Sequence, residues 1–284
     1  MISSKIIADS TFNDSRLTTY VLTMPKFLFQ ELNKHRVFSS NAASSRAIPN
    51  KKMKELACFS PLVWGKNKSG MQAEETLSGW RLIASKSIWE SAKRFNHLFA
   101  EALSIVGCHK QISNRLIEPF TYGTVILSGT YWMNFFNLRC EAAAEPHFGF
   151  LASLMLEQYL ENVPHPLYEG EWHIPFIKPE EASLPLRDRL VKSSARCARV
   201  SYNNFYGKDS MEDDLRLYES LKSQGHWTPY EHQAQAVIGS NCNGNFSNSW
   251  RQHRQMLENS MPKRDKNLKS ILEEQKVLNK ERGI

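Results

Sequence analysis

Apolar and polar positions alternate at the start of the chain in the way that predicts a β-hairpin. Residues 5–8 and 17–23 are rich in β-forming side chains, and the polar segment 11–15 separates them. Beyond Pro25, apolar residues recur at helical spacing to about Arg36. The same periodicity predicts three further helices, over 80–106, over 124–138 and following Pro146.

The second half of the chain differs in composition. Five prolines fall between residues 162 and 186, which predicts a linker or subdomain seam there. Ser210 and Gly225 are typical of the two ends of a helix. The tail from Asn259 is rich in Lys and Glu, which indicates a surface helix or a partly disordered segment. Strand-like segments are predicted at 172–174, 198–202 and 233–238.

Composition limits the class of protein. The chain has 284 residues, 41% of them hydrophobic, enough for one large domain or two small ones. Its apolar runs are too short for a membrane helix, and its start lacks the apolar region of a signal peptide. The five cysteines are scattered without a CxxC pair, so we expect reduced thiols in a soluble, cytoplasmic protein.

The net charge of +7 is concentrated in the first half of the chain. Residues 1–160 hold 18 basic and 12 acidic side chains, whereas 161–284 hold 18 and 17. This excess predicts an anionic partner, which could be a nucleic acid, a nucleotide or a phosphate-bearing cofactor. The sequence contains no GxGxxG after a strand, no P-loop, no zinc spacing and no GxSxG. Any nucleotide or flavin site must therefore be built in another way, and no metal site is predicted.

Three polar runs remain as candidates for chemistry. Residues 34–46 join a cationic helix end to a serine-rich turn and a further Arg, which suits an anion cradle but also an ordinary capped helix end. Asn134 and Arg139 interrupt an apolar, aromatic run, where a satisfied core Asn and a structural ion pair are the simpler interpretation. Residues 225–232 place two His, a Thr and a Glu around a proline turn.

Taken together, these runs resemble the flavin-dependent thymidylate synthases. The family signature R-H-R-x-x-S-x-N-x-x-S-x-R matches residues 34–46 except at Lys34. Its G-H-x-[ST]-P-[FY]-E-H run matches residues 225–232, and its A-R-V-S run matches 198–201. Its N-F-x-x-L-R run matches 134–139, and Arg115 lies in a looser match to A-R-x-x-L-P.

The order of these runs differs from the family, because residues 225–232 follow the signature instead of preceding it. The resemblance therefore implies a circularly permuted α+β fold, with an antiparallel sheet packed with long helices in one structural domain. Residues 1–165 resemble the signature and C-terminal half of the family, 166–258 resemble its N-terminal half, and 259–284 form the charged tail. Termini that lie close together at the surface make such a rearrangement tolerable. A bacteriophage origin, with a host-cytoplasmic protein, would suit this arrangement.

The resemblance also implies an activity, in which a one-carbon unit passes from methylene-tetrahydrofolate to C5 of dUMP and gives dTMP. FAD would be the hydride carrier and NADPH the reductant. The family forms homotetramers with sites at chain interfaces. Neither a membrane nor a nucleic acid is expected as a partner. Catalytic roles fall to Arg139 and Ser44; substrate binding to Glu31, Ser44, Ser45, Arg46, Arg115 and Arg139; and FAD binding to Lys34, His35, Arg36, Asn41, Asn134, Ser201, His226, Thr228 and Glu231.

Some positions depart from the family pattern and leave two alternatives open. Glu31 stands where the family has Gln, and Ala42 stands where it has Glu or Gln. Ser128 and Thr130 replace an Asn and an Arg that contact flavin in the family. A hydroxymethylase acting on dUMP or dCMP is therefore an alternative product chemistry. A non-enzymatic nucleic-acid-binding protein is the remote alternative, and its binding would weaken steeply with salt.

Overall fold

A long hairpin opens the chain and forms the centre of its main sheet. The computed structural model describes residues 1–56, 58–201, 209–239, 244–260 and 268–283. In it, β1 (Ser3–Phe12) and β2 (Ser15–Pro25) are joined by Asn13 and Asp14, whose φ angles are 47° and 57°. Two left-handed residues in a two-residue turn match the twist of the flanking strands. The predicted hairpin is confirmed.

Two sheets are present among the described residues. The larger has the order β3-β4-β2-β1-β5, with β3 (Ser39–Ala42), β4 (Tyr122–Gly129) and β5 (His165–Pro166). Its pairs are antiparallel, as predicted, except that the two-residue β5 at the edge runs parallel to β1. The smaller sheet is antiparallel and has the order β6-β7-β8, with β6 (Trp172–His173), β7 (Ala234–Ala236) and β8 (Trp250–Gln252).

Helices surround the larger sheet, and the fold is mixed α+β. In the described part of the chain, no helix is long and apolar enough to cross a membrane. Short 3₁₀ turns cover Lys26–Leu28, Asn114–Phe120, Pro179–Glu181 and Thr228–Tyr230. The α-helices are α1 (Phe29–Leu32), α2 (Asn50–Leu56), α3 (Gly79–Ile105), α4 (Lys110–Ser113), α5 (Met133–Arg139), α6 (Pro146–Glu161), α7 (Leu186–Val200), α8 (Met211–Gln224), α9 (His253–Ser260) and α10 (Leu268–Glu281).

The sheet has a packed core on each face. Because side chains alternate along a strand, Tyr20, Leu22 and Met24 point to one face, where they pack against α5 and α6. Val21 and Ile126 point to the other face and contact the α7 side chains Cys197 and Val200. Helix α8 then packs on α7 through Val191 and Tyr218, in a cluster that also contains Tyr230 of the following 3₁₀ turn. Helices α7 and α8 are thereby attached to strands β2 and β4 from the first half of the chain.

Three sequence predictions of secondary structure are wrong or too long. The predicted helix over 124–138 is β4 followed by α5, because a central strand buried on both faces is continuously apolar and lacks alternation. In the predicted strand end at 198–202, residues 198–200 are the end of α7, and residue 202 lies outside the described residues. The predicted helix from 25 to 36 is a 3₁₀ turn and the four-residue α1.

Other predictions are confirmed. The helix over 80–106 is α3, the helix after Pro146 is α6, and the helix between Ser210 and Gly225 is α8. Ser210 accepts a hydrogen bond from the Asp213 N–H, and Gly225 ends α8 with φ 75°. Residues 259–260 of the tail end α9, its described part from Leu268 forms α10, none of whose residues is buried, and residues 261–267 lie outside the described residues. The exchanged order of the halves and the division into segments stay predictions.

Candidate functional site

A cavity of about 650 Å³ brings together residues from the first and third polar runs. We call it the main cavity. It lies between the segment after β3, the C-terminal end of α7, α8 and the 3₁₀ turn after it. Its lining residues are Ser44, Arg46, Ala47, Gln111, Ala198, Ser201, Leu217, Ser220, Leu221, Gln224, His226, Thr228 and Pro229.

Hydrogen bonds fix the wall of the main cavity where β3 meets α7. The Ser44 N–H donates to the Ser201 carbonyl at 3.0 Å. Asn41 is buried, and its Nδ2 donates to the Cys197 carbonyl at 2.7 Å while its Oδ1 accepts from Ser201 Oγ at 3.0 Å. The signature Asn therefore holds two chain segments together, and no contact with a cofactor is needed to explain its burial.

The opposite wall is built by the end of α8. Gly225 allows the chain to reverse, and the His226 N–H then donates to the Leu221 carbonyl at 2.9 Å. Pro229 lies in the first turn of the following 3₁₀ segment, Thr228–Tyr230, and burial of Tyr230 against Tyr218 anchors it. His226 and Thr228 are left exposed at the cavity.

Arg46 is the basic residue of the main cavity. Its side chain is exposed and has no ion-pair partner within the described ranges. Together with the hydroxyl group of Ser44, it offers a charged donor and a neutral donor to an anion, whereas the Ser201 hydroxyl already donates its proton to Asn41. The cavity can thus bind a phosphate-bearing molecule, with the apolar surface of Leu217 and Pro229 beside it.

A second cavity of about 370 Å³ shares Ser44 with the main cavity and is also lined by Ser45 and Arg115. Its central acid is Glu118, which accepts a hydrogen bond from Ser45 Oγ and two from Arg115 Nη1, at 3.0 and 3.1 Å. Lys26 Nζ lies 3.6 Å from the same carboxylate. Burial opposes ionisation, but these partners hold the pKa of Glu118 below its usual value. Arg115, predicted to contact phosphate, is therefore paired with an internal acid.

Arg139 forms a third cluster with residues of the first run. Its Nε donates to His35 Nε2 at 2.9 Å, and its Nη1 donates to Glu31 Oε2 at 3.0 Å. Its guanidinium lies 4.5 Å from the centre of the Phe148 ring. Burial and the charge of Arg139 lower the pKa of His35. Because His35 Nε2 accepts this bond, its ring is neutral and carries its proton on Nδ1.

Glu231 is separated from the other residues of its run. It is buried and accepts a hydrogen bond from Arg254 Nη1. It lines a third cavity, of about 630 Å³, together with Asn245, Arg251 and Gln252. The structure thus places His226 and Thr228 at one cavity and Glu231 at another.

The remaining predicted residues stand apart from the main cavity. Lys34 and Arg36 are exposed in the turn after α1, and Asn134 is exposed on α5. Ser128, read as a substitute for a flavin contact, is buried and bonds to Thr19 Oγ1 at 2.7 Å and to His232 Nδ1 at 2.8 Å. Within the described residues, no group of three or more metal-ligating side chains is present.

Sequence reasoning missed two features of this region. Gln111, Ser220 and Gln224 line the main cavity, and no motif marks them. A buried polar chain also crosses the sheet, linking Ser10, His173, Thr19, Ser128 and His232 by successive bonds of 2.7 to 2.9 Å. Polar residues at buried positions of β2 and β4 are the one sequence signal that could have indicated it.

Comparison with known proteins gives limited information. No family model matches the chain, and no curated protein matches it. A solved structure of the UMP/dUMP methylase PolB from Streptomyces cacaoi bound with 5-Br UMP is similar with a TM-score of 0.45 and 13% identity, over 57% of this chain and 89% of that one. The same enzyme bound with 5-Br dUMP gives a TM-score of 0.42 and 16% identity, over 51% and 67%. Likeness at this level carries no argument about activity.

Proposed function

We propose that the chain transfers a one-carbon unit to C5 of a pyrimidine deoxynucleotide, with dUMP as the substrate and dTMP as the product. One observation carries the proposal: Ser44 and Arg46 share one cavity with Ser201, His226 and Thr228. These residues come from runs that the resemblance to flavin-dependent thymidylate synthases singles out. Ser44 and Arg46 precede Ser201, His226 and Thr228 by more than 150 positions. Their meeting in one cavity therefore supports the resemblance independently of the sequence match.

The groups at the main cavity suit a nucleotide and part of a flavin. Arg46 would bind phosphate, because its guanidinium is exposed and unpaired within the described ranges. Ser201, His226 and Thr228 would hold FAD, which supplies hydride chemistry when it is bound. The fit is incomplete within one chain, since Asn134 lies elsewhere and Glu231 is engaged by Arg254.

This incompleteness is a reason to propose that the site is completed between chains of a homotetramer, as the resemblance implies. Lys34, Arg36 and Asn134 are exposed and free to meet a neighbouring chain's cavity. Methylene-tetrahydrofolate would be the one-carbon donor and NADPH the reductant. Contributions from several chains would explain why one protomer gathers only part of the predicted set.

Arg139 is the residue best suited to act on the pyrimidine ring. As C5 becomes nucleophilic, negative charge spreads over the ring, and a fixed guanidinium beside it stabilises that charge. Three contacts hold Arg139 in place: the bond to neutral His35, the bond to Glu31 and the face of Phe148. A cation held in advance loses little entropy when the substrate arrives.

A second candidate substrate is favoured by Glu31. Its carboxylate lies 3.0 Å from Arg139 Nη1 and is about one-third exposed, at 31%. A carboxylate accepts hydrogen bonds only, which matches the amino group on C4 of cytosine better than the carbonyl of uracil. We therefore propose a hydroxymethylase acting on dCMP or dUMP as the alternative.

The test is to incubate purified protein with FAD, NADPH, methylene-tetrahydrofolate and either dUMP or dCMP, and to measure the product mass. Arg46→Ala serves as the matched variant, which should keep its fold and lose turnover. Thymidylate from dUMP supports the first proposal, and a hydroxymethyl product supports the second. A colourless protein that takes up no FAD and converts neither nucleotide refutes both.

A further inference from the structure

The long helix α3 is apolar on its outer face. Its inner face packs on the protein through residues such as Trp89, whose ring lies 5.1 Å from that of Phe120, and Ala100, which is buried. Its outer face, together with Val106 directly after its last residue, carries eight large apolar side chains that are each more than half exposed. They are Trp80, Ile83, Ile88, Phe95, Leu98, Phe99, Ile105 and Val106, and we call them the outer stripe.

The outer stripe has the spacing of a helix-pairing surface. Ile88, Ser91, Phe95, Leu98, Ala102 and Ile105 follow one another at alternating steps of three and four residues. Phe95 and Phe99 already stack on each other at the centre of the stripe. A helix of 27 residues is about 40 Å long, long enough for several turns of contact with a second helix.

The exposed area is that of an interface. The eight side chains together expose on the order of 1,000 Å², more than the roughly 300–600 Å² of the largest apolar patch on a typical monomer. A stable interface buries about 800 Å² on each partner. A surface of this size left in water would favour aggregation, so it requires a partner.

We propose that the outer stripe is the self-association surface of this protein, and that it pairs antiparallel with the same helix of a second copy. Antiparallel pairing about the midpoint between Phe95 and Leu98 sets Phe95 of one copy against Leu98 of the other. It also brings Arg94 of each copy near Glu101 of the other. Arg94 has no ion-pair partner within the described ranges, and Glu101 is exposed, with Lys54 3.0 Å from it.

The pairing bears on the main cavity as well. The stripe ends at Val106, five residues before Gln111, which lines the main cavity. A second copy on this face therefore comes close to the side of the cavity formed by Gln111. The inference does not depend on the proposed activity, because it uses only the surface of α3.

Light scattering coupled to size-exclusion chromatography, together with sedimentation over a concentration series, tests the proposal. The wild type should be a dimer or a larger assembly. Leu98→Glu should weaken self-association by at least about 100-fold, as expected for a charge at the centre of an interface. Leu160→Glu is the matched control, since Leu160 is exposed to a similar degree, 74%, on α6. It should leave the assembly and the circular dichroism spectrum unchanged.

The antiparallel register has its own test. Arg94→Glu should weaken the dimer, and Arg94→Glu combined with Glu101→Arg should restore it. A monomeric wild type overturns the proposal, and so does a Leu98→Glu variant that assembles normally. If the wild type is monomeric but residues 1–260 alone self-associate, α10 covers the stripe instead. Dimerisation that persists in Arg46→Ala without activity separates this inference from the proposed function.

Discussion

Three buried histidines should make the protein lose stability as the pH falls, well before its carboxylates titrate. His173, His232 and His253 lie inside the fold, and burial is the main cause that lowers their pKa, to about 4, about 3 and about 4. Ser10 and Thr19 bind His173, Ser128 binds His232, and Tyr218 binds His253. None of these partners is a carboxylate that could stabilise an imidazolium.

The sign of the effect follows from the direction of the shifts. In the unfolded chain these histidines titrate near pH 6.5, whereas in the folded chain they stay neutral to about pH 4. The unfolded state therefore binds more protons between these values. The stabilising contribution is complete above the unfolded pKa and is lost as the pH falls towards the folded pKa.

The expected loss in the free energy of unfolding is large relative to the total stability of a typical domain. Each histidine contributes about 1.4 kcal/mol per pH unit once the unfolded form is protonated, so the three together remove about 4 kcal/mol between about pH 7.5 and pH 5.5. A folded domain has roughly 5–15 kcal/mol in total. The lower limit of this window stays above the ordinary pKa values of Asp and Glu, so carboxylates add little to the change.

Urea unfolding followed by circular dichroism across this pH range measures the effect. The free energy of unfolding should fall with a slope that averages about 1.5 protons over this range and approaches three protons near pH 5.5. His232→Asn keeps a polar atom near Ser128 Oγ and removes one titrating group, so its slope near pH 5.5 should fall to nearly two. His109→Asn is the control, because His109 is exposed before α4 and its replacement leaves the three buried histidines in place. A stability that is flat from pH 7.5 to 5.5, or an unchanged slope in His232→Asn, would refute the reasoning.

Two further predictions concern the candidate site. Arg46→Ala should weaken nucleotide binding by about 1.5–3 kcal/mol, the value of a lost hydrogen bond to a charged group, with bound flavin retained; calorimetry with dUMP measures this, and unchanged affinity contradicts the phosphate role. Glu31→Gln should cost less than about 1 kcal/mol of stability, because Glu31 and Arg139 form a partly exposed pair. The same change should shift turnover from dCMP towards dUMP, and an unaltered ratio of the two rates argues against Glu31 as the residue that selects the base.

Local signals in the sequence predict much of the fold but little of its assembly. The α8 helix is predicted because Ser210 and Gly225 act within a few residues of its ends. The β4 strand is not, because burial on both faces removes the alternation that distinguishes a strand from a buried helix. One of the two faces is covered by α7, which is distant in sequence.

In the candidate site, too, the sequence indicates individual residues but not the contacts that bring them together. A sequence match can propose Ser44 and His226 separately, but their meeting depends on the bond from Asn41 to Cys197, which spans 156 positions. Ion pairing is still harder to foresee. The sequence presents Arg115 as an available cation, and the structure pairs it with Glu118, three residues further along the chain.

The ion pairs rank the three candidate arginines by their availability to an anionic ligand. Arg46 can bind phosphate without breaking an ion pair formed with any described residue. Arg115 is 54% exposed, so its pair with Glu118 is worth at most about 1 kcal/mol and a phosphate can compete for it. Arg139 is only 17% exposed and also contacts His35 and Phe148, so moving it would break several contacts at once. Arg139 is therefore suited to stabilise charge where it stands, Arg46 is suited to capture the phosphate, and Arg115 can assist only after releasing Glu118.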